Sequence, residues 1–526
     1  MARKKIKKSA KTAHHRTTSA QPAPAAEVRI PIEAVLIGLT AVVFLYYGLM
    51  LYLSLDDVHF WADENVHAYI SGNIHAAGTI PTQLSDDVYG GYEYSYPPLF
   101  HILNALIMFL AGTAAFKYTN LALLVLFIVG AYLLIRWHYD SRVALTATLL
   151  VSLAPVVAIN SVRFMTEMLS MVLMFASFFP WLIAMKTGRK AYALVAGIAT
   201  GLLMLSKQTG LVVLSFYGMI LVWSFFRRRG EMKIVLCTIG AALGVYLPYA
   251  IWAAFNDIGV MIFLRYFLGE RPEWAASAVT SFRTHSFSPK EFILLFYDGN
   301  GPLICIAFLL PLYHFILTRG RDFPHNYIFL LTLYLAGAMI VWHITNSRHT
   351  IVLLPIIAFL AGYTIQQVFT NKTAQRAIIA VLLVWACVAI YNRPDYRQAF
   401  NAPLEVRKMA ALIKKEFPTG KRTLVIEAFD YLVMTGKPVI WPYLNLKHIP
   451  VDLFAEQTPF DQYDLLKRYD IDLVLINTKY VSKNENFMGR NYPLTFMHNC
   501  ELLDKLGKMR LKALSDSRTL ILLEVI

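Results

Sequence analysis

Charged residues are scarce in this chain. Asp, Glu, Lys and Arg make up 16% of its 526 residues, where a soluble globular domain carries about a quarter. Hydrophobic residues make up 57% and the mean hydropathy is +0.49, which excludes an ordinary soluble protein and points to repeated helical crossings of a bilayer. Cysteine is scarcer still. Cys237, Cys305 and Cys387 lie in apolar segments and Cys500 in a polar one, a distribution that supports neither a disulfide framework nor a thiolate metal site. No glycine-rich loop follows a predicted strand, and TGK at Thr435 to Lys437 lacks the rest of a phosphate-binding pattern, so a nucleotide-binding fold gains no support. A cleaved signal peptide is not expected either, because the first apolar run is too long and lacks a small-residue cleavage site.

What charge there is leans positive, at +15 overall. Its placement argues against nucleic acid as the partner. Basic residues crowd the first thirty positions, MARKKIKKSAKTAHHR and onward, and short turns such as FFRRRGEMK (Phe225 to Lys233) and TRGRD (Thr318 to Asp322). That is the signature of cytoplasmic ends under the positive-inside bias. Residues 1–30 have no apolar period and read as a disordered cytoplasmic tail.

Apolar segments fall at about 32–53, 97–111, 118–135, 143–160, 164–185, 191–206, 209–226, 234–255, 291–317, 327–343, 350–368 and 377–391. With the basic turns held inside, eleven crossings are expected, and thirteen if 291–317 or a neighbour is split. The segment 97–111 is the one expected not to cross, since it opens on Pro97 and Pro98 and is short. The expected architecture is a polytopic α-helical membrane domain over 31–394 with outer loops 54–96 and 256–290, then a small extracytoplasmic α/β domain over 395–526. In that last part TLVIEAF, PVIWPY, IDLVLINTKY and RTLILLEVI read as short strands, and EVRKMAALIKKEF (405–417) as an amphipathic stretch. No internal repeat is evident.

Polar residues at the expected outer face are the functional candidates. Asp63 and Glu64 stand in WADENVHAYISGN, among Trp61, His67 and Tyr69, and GGYEYSYPPLFHI with Tyr96 follows. Arg163 and Glu167 in SVRFMTEML are four apart, which places them on one helix face. Lys207 in MLSKQTG and Arg348 and His349 in HITNSRHTIVLLP put positive charge where the inside bias disfavours it. A phosphate or diphosphate headgroup would account for these cations. A carboxylate beside it would take a proton from an attacking hydroxyl or amine. His67 and His75 are eight apart, and Asp86 and Asp87 adjoin, but neither spacing demands a metal; no cofactor is expected, and a divalent metal stays open without being indicated.

ADENVHAYISGNI, then YPPLFHIL, then SVRFMTEML occur in an order that resembles polytopic glycosyltransferases of the C-type fold that use lipid-phosphate-linked sugars. The likeness is strongest to the branch of dolichyl-phosphate-mannose protein mannosyltransferases and aminoarabinose lipid A transferases. The resemblance implies transfer of a sugar, with inversion, from a polyprenyl- or dolichyl-phosphate donor to a lipid, glycan or protein acceptor. Asp63 matches the base and Glu64 its immediate partner. Glu167 stands where many relatives have aspartate after an arginine, to assist Asp63 or bind the acceptor. Lys207 and Arg348 match contacts to the donor phosphate. Arg163 is a further candidate for that phosphate, and Tyr96, His349 and His67 are candidates to line the cavity. A prokaryotic plasma membrane is the expected location. Two other classes stay open on sequence grounds: a transporter or flippase of polyprenyl-linked glycans, which would favour repeats and discontinuous helices, and a polysaccharide polymerase or ligase using a lipid-diphosphate glycan.

Overall fold

Proline and glycine decide where the apolar segments of this protein bend. The computed structural model describes residues 31–54, 62–81, 97–152, 154–227, 229–256, 289–318, 322–341 and 347–391, and in the C-terminal part 408–409, 411–413, 415, 422–426, 439–440, 458–478, 492–516, 518 and 520–526.

The helices are α1 (Ile32–Ser54), α2 (Ala62–Ala77), α3 (Leu99–Ala111), α4 (Thr119–His138), α5 (Ser141–Ser152), α6 (Pro155–Val162), α7 (Glu167–Thr187), α8 (Lys190–Ser206), α9 (Thr209–Arg227), α10 (Arg229–Phe255), α11 (Pro289–Thr318), α12 (Phe323–Val341), α13 (Leu354–Val368) and α14 (Lys372–Tyr391). Each segment expected to cross contains a helix among the described residues. Among the described residues seven helical stretches are long and apolar enough to span a bilayer, or eight if α5 and α6 form one bent span. The protein is an integral membrane protein. Large apolar side chains such as Leu45 at 74% and Phe255 at 85% exposure are the lipid-facing surface such helices require. The innermost stretches are α7 and 347–368, each with 78% of its apolar window buried against 22% in α1.

Two expected segments depart from the sequence reading. The segment 143–160 turns by 67° between α5 and α6, where Pro155, at the start of α6, has no N–H to continue the helix before it. The second correction concerns 164–185. Its helix begins only at Glu167, and Arg163 is the extended residue that ends α6, with φ −99° and ψ 152°. Arg163 and Glu167 therefore do not share a helix face. A third distortion lies inside α11, where Gly301 adopts φ 76° and ψ 170° just before Pro302, a conformation that a side chain would strain.

Helix contacts exploit small residues. On α8, a Cβ at Gly197 would lie 2.3 Å from the Thr238 carbonyl oxygen, and one at Gly201 2.7 Å from that of Ala242, both on α10. This GxxxG spacing lets the two backbones approach as closely as membrane helices can.

The C-terminal part is a five-stranded mixed sheet in the order β2-β1-β3-β5-β4, made of β1 (Arg422–Ile426), β2 (Val439–Ile440), β3 (Ile471–Asn477), β4 (Met509–Leu514) and β5 (Leu520–Val525). The pairs β1/β2 and β1/β3 are parallel, and β3/β5 and β4/β5 antiparallel. Alternation along β3 buries both faces. Val474 and Ile476 join Phe496 and Cys500 of α16 (Tyr492–Lys505) and Leu466 of α15 (Pro459–Arg468), while Leu473 and Leu475 meet Met409 and Ile413. Four strands were anticipated from sequence; β4 was missed because MRLKAL carries two basic residues, and its burial is uneven.

Candidate functional site

Four of the sequence candidates sit where the chain leaves helical geometry, at one end of the bundle. Glu167 is the first residue of α7, where the helix dipole favours a carboxylate. Lys207 caps the end of α8 in extended conformation, where the dipole favours a cation. Arg348 and His349 belong to a 3-10 turn, Ser347–Leu353, that feeds α13.

These residues converge. Lys207 Nζ donates to Glu167 Oε1 at 2.8 Å and lies 2.9 Å from His349 Nδ1. Arg348 Nε is 3.5 Å and His349 Nδ1 3.6 Å from the same carboxylate oxygen. An ammonium cannot accept a hydrogen bond, so His349 Nδ1 must be the acceptor, and a neutral His349 carries its proton on Nε2. Glu167 is almost fully buried, while Lys207, Arg348 and His349 keep 14%, 23% and 27% of their side-chain surface open. A buried carboxylate thus gathers two cations, Lys207 and Arg348, beside a neutral His349, and the outer sides of all three remain accessible. Lys207 has three N–H donors and spends two on described residues, leaving one to bind an anion.

The surrounding backbone holds this geometry. The Cβ position of Gly210 lies 2.3 Å from the Met204 main-chain nitrogen, so only glycine permits the tight reversal from α8 to α9 that exposes Lys207. Gly299 of α11 does the same for the turn with Arg348, since a Cβ there would meet Ser347 Cβ at 2.6 Å. Asn300 Nδ2 donates to Thr350 Oγ1 at 2.8 Å. The break at 163–166 is gripped from two sides. The Asn120 amide on α4 donates to the carbonyls of Asn160, Arg163 and Met165, and the Phe164 N–H donates to Glu64 Oε1 on α2 at 2.7 Å. The Phe164 ring sits 5.0 Å from Phe100 and 4.7 Å from Phe116.

The remaining candidates divide. Glu64 is 0% exposed. His67, one turn on, is buried with Nδ1 2.8 Å from His101 Nε2, so its ring faces α3. Asp63 lies in the first turn of α2; its side chain, all of Tyr96, and Asp86 and Asp87 lie outside the described residues, as do residues 1–30 and 257–288. Among the described residues no group of three His, Cys, Asp or Glu gathers as a metal site would require. Sequence reasoning missed Asn120, His101 and Gly299. Only Asn120, an amide inside an apolar run, carried a signal.

The fold is that of the polytopic membrane glycosyltransferases of the C type. Residues 95–252 match the model of the dolichyl-phosphate-mannose-protein mannosyltransferase family. ArnT from Cupriavidus metallidurans in the apo state is similar at TM-score 0.63 and 14% identity, over 94% of this chain and 98% of that one. The same protein bound to undecaprenyl phosphate aligns at TM-score 0.60 and 14% identity, over 93% and 97%. The archaeal oligosaccharyltransferase AglB from Archaeoglobus fulgidus, in complex with an inhibitory peptide and a dolichol-phosphate, aligns at TM-score 0.61 and 14% identity, over 87% of this chain and 72% of that one. No curated protein matches the sequence.

Proposed function

We propose that this protein transfers a glycosyl group from a polyprenyl- or dolichyl-phosphate-linked donor to a lipid, glycan or protein acceptor at the outer face of a prokaryotic plasma membrane. The observation that carries the proposal is the convergence of Lys207, Arg348 and His349 on Glu167 at the helix breaks. The family match over 95–252 and the polyprenyl phosphates in the two similar structures support it. In the proposed topology residues 1–30 are cytoplasmic, 31–394 form the transferase, and 395–526 stand outside.

Asp63 removes the proton from the acceptor hydroxyl or amine as its lone pair attacks the anomeric carbon. The bond from that carbon to the phosphate oxygen breaks, its electron pair stays on the lipid phosphate, and the sugar inverts. Lys207 and Arg348 take up the charge that develops on the leaving phosphate, a use of fixed cations worth about 10²–10³ in rate. Glu167 keeps them converged, and its buried charge offsets the cost of confining them.

The test incubates purified protein with a panel of polyprenyl-phosphate sugars and follows sugar loss and transfer by mass spectrometry. Asp63→Asn should lower transfer by about 10³ or more while donor binding persists. Turnover near wild type in that variant would remove Asp63 from the mechanism, and inactivity of the wild type on every donor would remove the proposal.

A further inference from the structure

Two buried side chains one turn apart anchor α2. Glu64 accepts the main-chain N–H of Phe164 at 2.7 Å, and His67 faces His101 of α3 at 2.8 Å. Glu64 is 0% exposed, and the N–H it takes belongs to the break that immediately precedes Glu167. Asp63, its neighbour in the chain, rides on the same helical turn. The contact therefore links the element bearing the proposed base to the backbone that presents the carboxylate organising the cations, across 100 residues of sequence.

A buried carboxylate accepting a main-chain N–H gains a strong, directional bond. Its reach matters as much as its charge. An amide oxygen in the same place can accept the same N–H, whereas a side chain shorter by one methylene falls short of it by more than 1 Å. A group that removes a substrate proton has the opposite requirement, because an amide cannot take up that proton and a shorter carboxylate still can.

We infer that Glu64 is a positioning residue: by accepting the Phe164 N–H it fixes the first turn of α2, and so Asp63, against the 163–166 break and the Glu167 cluster. This rests on the proposed transferase reading for its catalytic consequence and on the Glu64 to Phe164 bond for its structural one.

Glu64→Gln and Glu64→Asp, each measured for kcat, KM of the lipid-linked donor and pH profile, decide the matter. Expected are a kcat within about 3-fold of wild type for Gln and a loss of about 10- to 100-fold for Asp. Donor KM should move less than about 3-fold in both, because the phosphate contacts come from other elements, and the pH limb set by Asp63 should stay in place. The reverse order, Asp active and Gln inactive, would make Glu64 a proton-transfer or charge-bearing group and overturn the inference, as would full activity in both. Amide hydrogen exchange across 160–168 and the first turn of α2 supplies a readout independent of turnover. Protection should survive in Gln and fall at both ends of the contact in Asp. Unchanged protection in both variants overturns the positioning role even if no donor is ever found. Loss of wild-type activity on every donor, with the exchange pattern as expected, overturns the transferase reading alone.

Discussion

Two carboxylates mark the two ends of α7, a helix roughly 30 Å long: Glu167 is buried, Asp322 is partly exposed, and they are built differently. Glu167, at its first residue, shares one oxygen among Lys207, Arg348 and His349, long side chains with exposed outer sides. Asp322, near the Lys186 end, accepts from His314 Nε2 at 3.1 Å, His325 Nδ1 at 2.8 Å and Tyr363 OH at 3.0 Å. His325 stacks on Tyr363 with ring centroids 3.8 Å apart, its other nitrogen lies 3.0 Å from Tyr139 OH, and Lys186 sits over the Tyr139 ring. Rings packed face to face around a fully engaged carboxylate make a joint that pins α4, α11, α12 and α13 together. Lysine and arginine side chains around a buried carboxylate, with their outer sides open, leave surface that an anion can reach. Ion pairing alone does not separate the two; the shape of the partners does.

The comparison breaks most sharply at Lys207. Lys207→Ala should cut transfer by about 10²–10³ and weaken donor binding, read by single-turnover kinetics; a change below about 3-fold would deny the cluster its phosphate role. Asp322→Ala should do the converse. Three accepted hydrogen bonds are lost and their buried donors orphaned, so folded stability should fall by about 3 kcal/mol, seen as a lower unfolding temperature in detergent with kcat per folded molecule unchanged.

A smaller effect tests the backbone supporting the open cluster. Gly299→Ala drives a methyl into Ser347 and should shift the turn carrying Arg348, lowering transfer by about 10-fold. Gly337→Ala on α12 meets nothing within 4 Å and should leave transfer unchanged.

The smallest effect is a pH dependence of the joint. Burial alone would raise the Asp322 carboxyl, but the hydrogen bonds from His314 and His325 outweigh it and hold the group below the usual carboxylate range. A carboxyl depressed by folding adds stability above its unfolded value of about 3.9 and loses it as pH falls toward the folded value. The stability gap between wild type and Asp322→Ala should therefore stay constant from about pH 5 to pH 8 and narrow only below about pH 4.

Much of this was legible in the sequence, and what was not has a common cause. Lys207, Arg348, His349 and Glu167 stood out as charges at the ends of apolar segments, and they do converge. Glu64 was legible as an acid but not as a backbone acceptor, because its partner is an N–H, which every non-proline residue carries and no sequence pattern flags. Arg163 was read as a helical neighbour of Glu167 because hydropathy runs smoothly across 155–187 and cannot register where hydrogen bonding stops. Asp322 stands at the end of the basic turn TRGRD, and the sequence candidates were sought at the outer face. Its histidine and tyrosine partners come from α11, α12 and α13, so the second cluster exists only once those helices meet.

The sequence by itself determined that this is a membrane protein, because unsatisfied backbone in hydrocarbon permits only long apolar helices, and composition counts those directly. It also set the order of the site residues along the chain. Only the tertiary structure decided which charge faces which, where helices break, and that one carboxylate organises cations while another locks a joint. Those outcomes depend on distances of a few ångströms between residues far apart in sequence, and a linear pattern of residue types carries no such distances.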